Sequence, residues 1–192
     1  YAKYWDGANW QSWGTSGSGQ GISQLVHDSS APAIDTDSSN NPVVAWSEEL
    51  PYPNGNNIYI KRWNGTGWVE IGTGSATGGG ISNSPSYSRA ERPSIAIDRT
   101  NNYVYVAWVQ VNRTPGGSTD YYMYHKMGDL ASGAWTAADG INAVDVIANN
   151  GLEITVSLVL DTSGFPVVAW ADNNSGISQI YAKRWNGSTW VD

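Results

Sequence analysis

One pattern recurs along this chain, and its period limits the fold more than any other feature. Pro32-Ala-Ile-Asp35, Pro42-Val-Val-Ala-Trp46 and Ile58-Tyr-Ile-Lys-Arg-Trp63-Asn-Gly-Thr-Gly-Trp68 return as Pro93-Ser-Ile-Ala-Ile-Asp98 and Val104-Tyr-Val-Ala-Trp108. They return again as Ser157-Leu-Val-Leu-Asp161, Pro166-Val-Val-Ala-Trp170 and Tyr181-Ala-Lys-Arg-Trp185-Asn-Gly-Ser-Thr-Trp190. The second half of the unit alone opens the chain, as Tyr1-Ala-Lys-Tyr-Trp5-Asp-Gly-Ala-Asn-Trp10. Trp46, Trp108 and Trp170 lie 62 residues apart, and Asp35, Asp98 and Asp161 lie 63 apart. A repeat of that length, built from short strands, implies an array of small sheets.

Each full unit divides into four expected strands. The first is Ala33-Ile34-Asp35, matched by Ser94–Ile97 and Ser157–Leu160. Small polar residues that tolerate tight turns follow. The second strand, Val43–Trp46, Val104–Trp108 or Val167–Trp170, is almost continuously apolar, as a strand covered on both faces should be. A variable loop leads to the third, whose alternation gives it two unlike faces. Asn64-Gly65 and Asn186-Gly187 then signal tight hairpins with positive φ at both central residues, and a short fourth strand begins at Trp68 or Trp190. No segment has helical periodicity.

The core must be aromatic, with 11 Trp and 11 Tyr against one Phe. Buried rings of these types remove large apolar areas from water, and each keeps one polar atom that needs a partner. Only 14% of residues are charged, and the 22 Gly supply turns. This composition points to an all-β, turn-rich extracellular or cell-surface protein. The net charge of −7 argues against nucleic acid, because phosphate binding needs clustered Lys and Arg. Neither a basic amphipathic segment nor a run of about eighteen apolar residues is present, so no membrane insertion is expected. Absence of cysteine excludes disulfides and thiolate metal sites. The start at Tyr1, without an initiator Met or signal peptide, reads as a processed or excised piece. Sequons at Asn64, Asn112, Asn173 and Asn186 are candidate glycosylation sites.

Four antiparallel strands repeated about an axis describe a β-propeller blade. The run Asp161-Thr-Ser-Gly-Phe-Pro-Val-Val-Ala-Trp170, with Tyr181-Ala-Lys-Arg-Trp-Asn-Gly-Ser-Thr-Trp190, resembles the tandem blades of secreted bacterial and archaeal propellers of the sialidase-like superfamily. The resemblance covers nearly the whole chain. It departs from the sialidase Asp-box: Gly164 lies three residues after Asp161, not two, and Trp170 lies nine after, not four or five. The expected fold class is all-β, with about three and a half blades. These are a half blade at 1–15 and blades at 31–72, 92–138 and 154–192. Such a count does not readily close a ring, so a larger or oligomer-completed propeller is expected.

Each candidate for chemistry also has a structural role open to it. Asp35, Asp98 and Asp161 could form a ring of carboxylates for Ca²⁺ or acid–base work. A residue present in every blade serves the blade, so a turn role is expected, each side chain accepting backbone N–H groups. No metal or cofactor is expected; Ca²⁺ is conceivable, but no specific motif supports it. Lys61-Arg62 and Lys183-Arg184, with Lys3 and Lys126, are read as stems covering Trp rings. A sialidase site would need three converging arginines, which Arg62, Arg89, Arg92, Arg99, Arg113 and Arg184 do not evidently supply. Glu48-Glu49, a non-repeated acidic pair after the second strand, could be a cation or catalytic site but is read mainly as a solvated loop start. His27 and His125 lack metal-ligand spacing.

The aromatics are the strongest binding candidates. Trp5, Trp63, Trp185, Tyr59 and Tyr181, with Glu48 and Glu49, form the expected ligand-contacting set, since exposed rings stack on the apolar faces of sugars. Inter-blade packing by Trp10, Trp68 and Trp190 and their neighbours is the competing role. The expected function is a non-enzymatic extracellular or cell-surface module. It would bind a glycan or a protein, including copies of itself, in adhesion or structural self-assembly. The alternative is a fragment of a sialidase-like glycoside-acting enzyme whose catalytic residues lie largely elsewhere.

Overall fold

The computed structural model describes residues 1–51, 53–113, 119–137, 139–140, 154–172 and 177–192. The sequon Asn173 lies outside these residues. The chain opens with a hairpin, β1 (Lys3–Trp5) and β2 (Trp10–Ser12), and one turn of 3₁₀ helix at Gly14–Gly17. Three four-stranded antiparallel sheets follow, each in simple chain order. The first is β3 (Ser29–Thr36), β4 (Pro42–Glu49), β5 (Asn56–Trp63) and β6 (Trp68–Glu70). The second is β7 (Arg89–Asp98), β8 (Tyr103–Arg113), β9 (Thr119–Asp129) and β10 (Asp139–Gly140). The third is β11 (Val156–Leu160), β12 (Pro166–Asp172), β13 (Gln179–Trp185) and β14 (Trp190–Val191). This is the all-β architecture of three complete blades and a half blade.

β3 and β7 begin earlier than the recurring motif suggests. Each crosses a proline, Pro32 or Pro93, at a break in register with the second strand. Proline has no N–H to give the ladder, so a bulge is where a strand can hold it. Beyond the bulge the ladders are regular: Ala33 pairs with Ala45, Ser94 with Ala107 and Ser157 with Ala169.

Strand alternation assigns the two faces of each sheet. Val43, Ala45, Ile58 and Ile60 of the first sheet are wholly buried against Ile95, Val106 and Trp108 of the second. The opposite face of the second sheet, with Ala107, Val109 and Met123, meets Leu158, Val168 and Trp170 of the third. β8 is therefore covered on both faces, which accounts for its unbroken hydrophobic run. Polar ties cross the same interfaces. Trp68 Nε1 donates to the Trp13 carbonyl at 3.2 Å, and the equivalent Trp135 Nε1 donates to the Ile71 carbonyl at 2.7 Å. Arg62 donates to the Leu130 carbonyl at 2.6 Å, and Arg92 to that of Ile154 at 2.9 Å.

The register corrects one expectation. Asp98 and Asp161 do hold the turns between first and second strands: Asp98 Oδ1 accepts from Thr100 and Asn101, and Asp161 Oδ1 from Ser163 and Phe165. In the first sheet that place belongs to Asp37, which accepts from the N–H groups of Ser39 and Asn41. Asp35 lies two residues earlier, and its even 63-residue spacing to Asp98 is coincidental. Its Oδ2 instead accepts from the Ile97 N–H of the next sheet at 2.9 Å, and it pairs with Arg99. The Asn-Gly hairpins also differ from expectation. Trp63 pairs with Trp68 across a four-residue loop in which Gly65 has positive φ but Asn64 does not. Asn64 Oδ1 accepts from Thr66 and Gly67, and Asn186 Oδ1 likewise from Ser188 and Thr189.

The turn carboxylates carry a pH signature. Burial would raise the Asp98 pKa, but hydrogen bonds from Asn101 and Thr100 outweigh it and hold the carboxyl below its usual range. Asp161 is lowered chiefly by the Phe165 N–H, with Arg184 assisting. A carboxyl with a lower pKa in the folded state stabilises the fold fully above its unfolded value of about 3.9. That contribution is lost as pH falls through the folded value. Melting temperature is thus expected to drop below about pH 4. The drop should be smaller in Asp98→Asn than in the parent when thermal unfolding is followed by circular dichroism from neutral pH downward.

Candidate functional site

The opening hairpin is the counterpart of a third and fourth strand, and it packs beside the first sheet. In the second sheet, Val106 and Trp108 are covered by Val43 and Ala45 of the preceding second strand. Their counterparts in the first sheet, Val44 and Trp46, cluster with Ala2, Ile22, Tyr59 and Ala76, beside partly buried Trp13, Leu25, Leu50 and Trp68. A cleft of about 370 Å³ remains between the N-terminal segment and the inner strands of the first sheet. Val44 and Trp46 form an apolar wall, and Tyr1, Gln20, His27 and Ser29 bring polar groups to it. A smaller recess of about 160 Å³ lies beside the equivalent Trp108, edged by Ser82, Gln110, Asn112 and Tyr124.

Behind the cleft wall sits Glu48. It is part of β4 rather than a solvated loop start, and it is wholly buried. Its Oε2 accepts from Trp46 Nε1 at 2.9 Å and from Ser29 Oγ at 2.6 Å, which orients two residues of the cleft. Its other oxygen is buried without a hydrogen-bond partner. Glu49 is exposed, and successive strand residues point to opposite faces, so the two carboxylates cannot act as a pair. Nearby, burial raises the Tyr59 hydroxyl pKa, with Glu48 and Glu70 adding to it. Burial lowers the Lys61 ammonium pKa, despite those same two carboxylates. Lys61 Nζ donates to the carbonyls of Ile22 and Ser23, fastening the N-terminal segment over the first sheet.

The other expected ligand residues are not gathered at one place. Tyr59 is buried, and its hydroxyl donates to the Gly78 carbonyl. Trp63 is half-buried between Trp13 and Trp68. Trp185 packs on Trp190 and on buried His125 of the preceding sheet. Trp5 is 54% exposed on the first hairpin. Tyr181 lies on the third sheet, stacked on Trp170 at 5.9 Å. Arg99 pairs with Asp35 and Arg184 with Asp161, while Arg62 and Arg92 hold backbone carbonyls, so these four do not form a converging cluster. Among the described residues no group of three or more His, Cys, Asp or Glu could hold a metal, and no helix is long and apolar enough to cross a membrane.

Sequence reasoning missed Tyr1, Gln20, His27, Ser29 and Trp46 as neighbours of one cleft.

No protein-family model matches the chain, and no curated protein matches it. Solved structures do. The Hadza microbial sialidase Hz136 is 13% identical with a TM-score of 0.59, over 84% of this chain and 36% of its own. Trypanosoma rangeli sialidase in complex with sialic acid is 12% identical with a TM-score of 0.55, over 88% and 30%. Penicillium chrysogenum α-L-arabinanase complexed with arabinobiose is 19% identical with a TM-score of 0.53, over 88% and 50%. The chain shares the β-propeller fold of these structures, and it spans about a third of the two sialidases and half of the arabinanase.

Proposed function

We propose that this chain is a non-enzymatic, extracellular carbohydrate-binding segment of a β-propeller, with the cleft beside Trp46 as its principal saccharide site. The cleft itself carries the reading. Its volume falls in the range of small-ligand pockets, and it joins an apolar aromatic wall to a few convergent polar groups. A sugar ring needs both: its C–H face packs on apolar surface while its hydroxyls seek donors and acceptors such as Ser29, Gln20 and His27. Buried Glu48 fixes the Trp46 and Ser29 side chains, so little ordering entropy remains to be lost on binding. The second recess, beside Trp108, repeats the combination of aromatic and amide groups one blade further on, where a longer glycan could gain by multivalency. The Trypanosoma rangeli sialidase and the Penicillium chrysogenum arabinanase, solved with sialic acid and arabinobiose, share this fold, which supports the reading.

The reading is tested on a broad glycan array, followed by calorimetric titration of any saccharide that binds. Gln20→Ala and His27→Ala, both at exposed positions, are expected to weaken binding about tenfold each, which is about 1.4 kcal/mol, without lowering the melting temperature. No binding across the array, or binding indifferent to both substitutions, would remove the cleft as a saccharide site.

A further inference from the structure

We propose that the recess beside Trp108 takes an uncharged sugar residue and turns away acidic ones, the uronic and sialic acids. The inference rests on the saccharide reading above and names the class of saccharide. The recess lies inside the chain, between β8 and β9 of the second sheet and the segment 71–88 that links β6 to β7. Ser82, Pro85, Trp108, Gln110, Asn112 and Tyr124 line it, and none of them is Asp, Glu, His, Lys or Arg.

Strand register accounts for the composition of this wall. Trp108, Gln110 and Asn112 stand opposite Tyr124, Tyr122 and Asp120 in the ladder, and residues directly opposite share a face. Successive residues alternate, so Arg113 lies on the other face with Val109 and Val111. β7 sorts its charges in the same way. Ala90 stands opposite Gln110, while Arg89 and Glu91 stand opposite Val111 and Val109. Both arginines nearest in register are thereby kept behind the wall. On the recess face, Asp120 is directly across from Asn112, which lines the recess. Lys126 lies at the opposite end of that face, across from wholly buried Val106, and burial lowers its ammonium pKa. The nearer charge is therefore the negative one.

Buried Gln110 orients the wall. Its Oε1 accepts from Trp108 Nε1 at 3.3 Å and from Ser84 Oγ at 3.2 Å, and its Nε2 donates to Asn112 Oδ1 at 3.3 Å. The recess thus presents amides and hydroxyls held in place before a ligand arrives. Such groups suit sugar hydroxyls, which donate and accept alike. They do not offset the water lost from around a carboxylate, which needs a cation or several aimed N–H donors. Asp120 adds a direct repulsion, and the net charge of −7 adds a longer-range one; salt weakens both.

The test uses a glycan array on which neutral glycans stand beside their uronate and sialylated counterparts. It is read with the parent chain and with the Gln20→Ala/His27→Ala double variant, whose cleft is silenced. The double variant is expected to bind neutral members at least about tenfold more tightly than their acidic counterparts, and added salt should narrow that gap. Asp120→Asn, added to it, should narrow the gap as well. Asn112→Arg, which puts a cation into the wall, should shift the preference toward the acidic members by about tenfold or more. Circular dichroism checks that each variant is folded. Acidic members bound as tightly as neutral ones, or a gap indifferent to salt and to both substitutions, would overturn the proposal while leaving the saccharide reading in place. Binding by the parent but not by the double variant would confine saccharide to the cleft and would also overturn it. Silence from both proteins across the array would bring down the saccharide reading and this proposal together.

Discussion

Trp108→Ala is expected to cost about 3–5 kcal/mol of unfolding free energy, the range found when a large buried aromatic is truncated. Trp108 is 1% exposed and sits where the first and second sheets meet, in contact with residues of both. Its ring is also stacked on Tyr124 at 6.2 Å, and its indole N–H donates to Gln110 at 3.3 Å. Truncation therefore opens a cavity at an interface and removes one of the two hydrogen bonds that Gln110 Oε1 accepts, the other coming from Ser84 Oγ. Relaxation cannot easily close that cavity, because β8 is held by ladders on both sides and by neighbouring sheets on both faces. For a chain of this size the melting temperature should fall by more than about 6 °C. Val26→Ala, at a position 84% exposed, should change stability by less than about 0.5 kcal/mol. Thermal unfolding of the two variants side by side checks the stacking of the sheets, and an equal response in both would refute it.

How far this could be seen in the sequence depends on what kind of information a repeat carries. Strand order and the two-sided burial of the second strand were legible, because Val-Val-Ala-Trp returns at constant spacing and only a strand covered on both faces can be apolar throughout. Register within a turn was not. Asp35 matched the 63-residue spacing, but strand pairing aligns Asp37, not Asp35, with Asp98 and Asp161. Two aspartates two residues apart cannot be told apart by counting along the chain, whereas the strand ladder separates them at once. The Asn-Gly signal located the outer hairpins but misjudged their form, because the Asn side chain caps a four-residue loop instead of entering the left-handed region. The cleft was hidden for a different reason. Its walls come from the irregular segment that links the hairpin to β3 and from the inner strands of the first sheet, residues that no motif joins.

Glu48 offers a sharper comparison, because the repeat supplies its own control. Glu48→Ala is expected to destabilise the fold by about 2–4 kcal/mol: the buried Trp46 N–H loses its acceptor, the Ser29 hydroxyl loses its tie to the wall, and a cavity is left where Glu48 was wholly buried. Glu48→Gln should stay within about 1 kcal/mol of the parent and could exceed it. The equivalent residue in the second sheet is Gln110, which accepts from Trp108 Nε1 just as Glu48 accepts from Trp46, so a carboxamide suits the position. The substitution also relieves the burial of an acid that has two hydrogen-bond donors on one oxygen and none on the other. Urea unfolding of both variants gives the difference, expected to be about 2 kcal/mol or more in favour of Gln. If Gln proved as damaging as Ala, the negative charge itself would be what the site requires, and the unpartnered oxygen would have to face a cation or a ligand donor. If Ala proved as mild as Gln, the link from Glu48 through Trp46 and Ser29 to the cleft would not be what holds the wall in place.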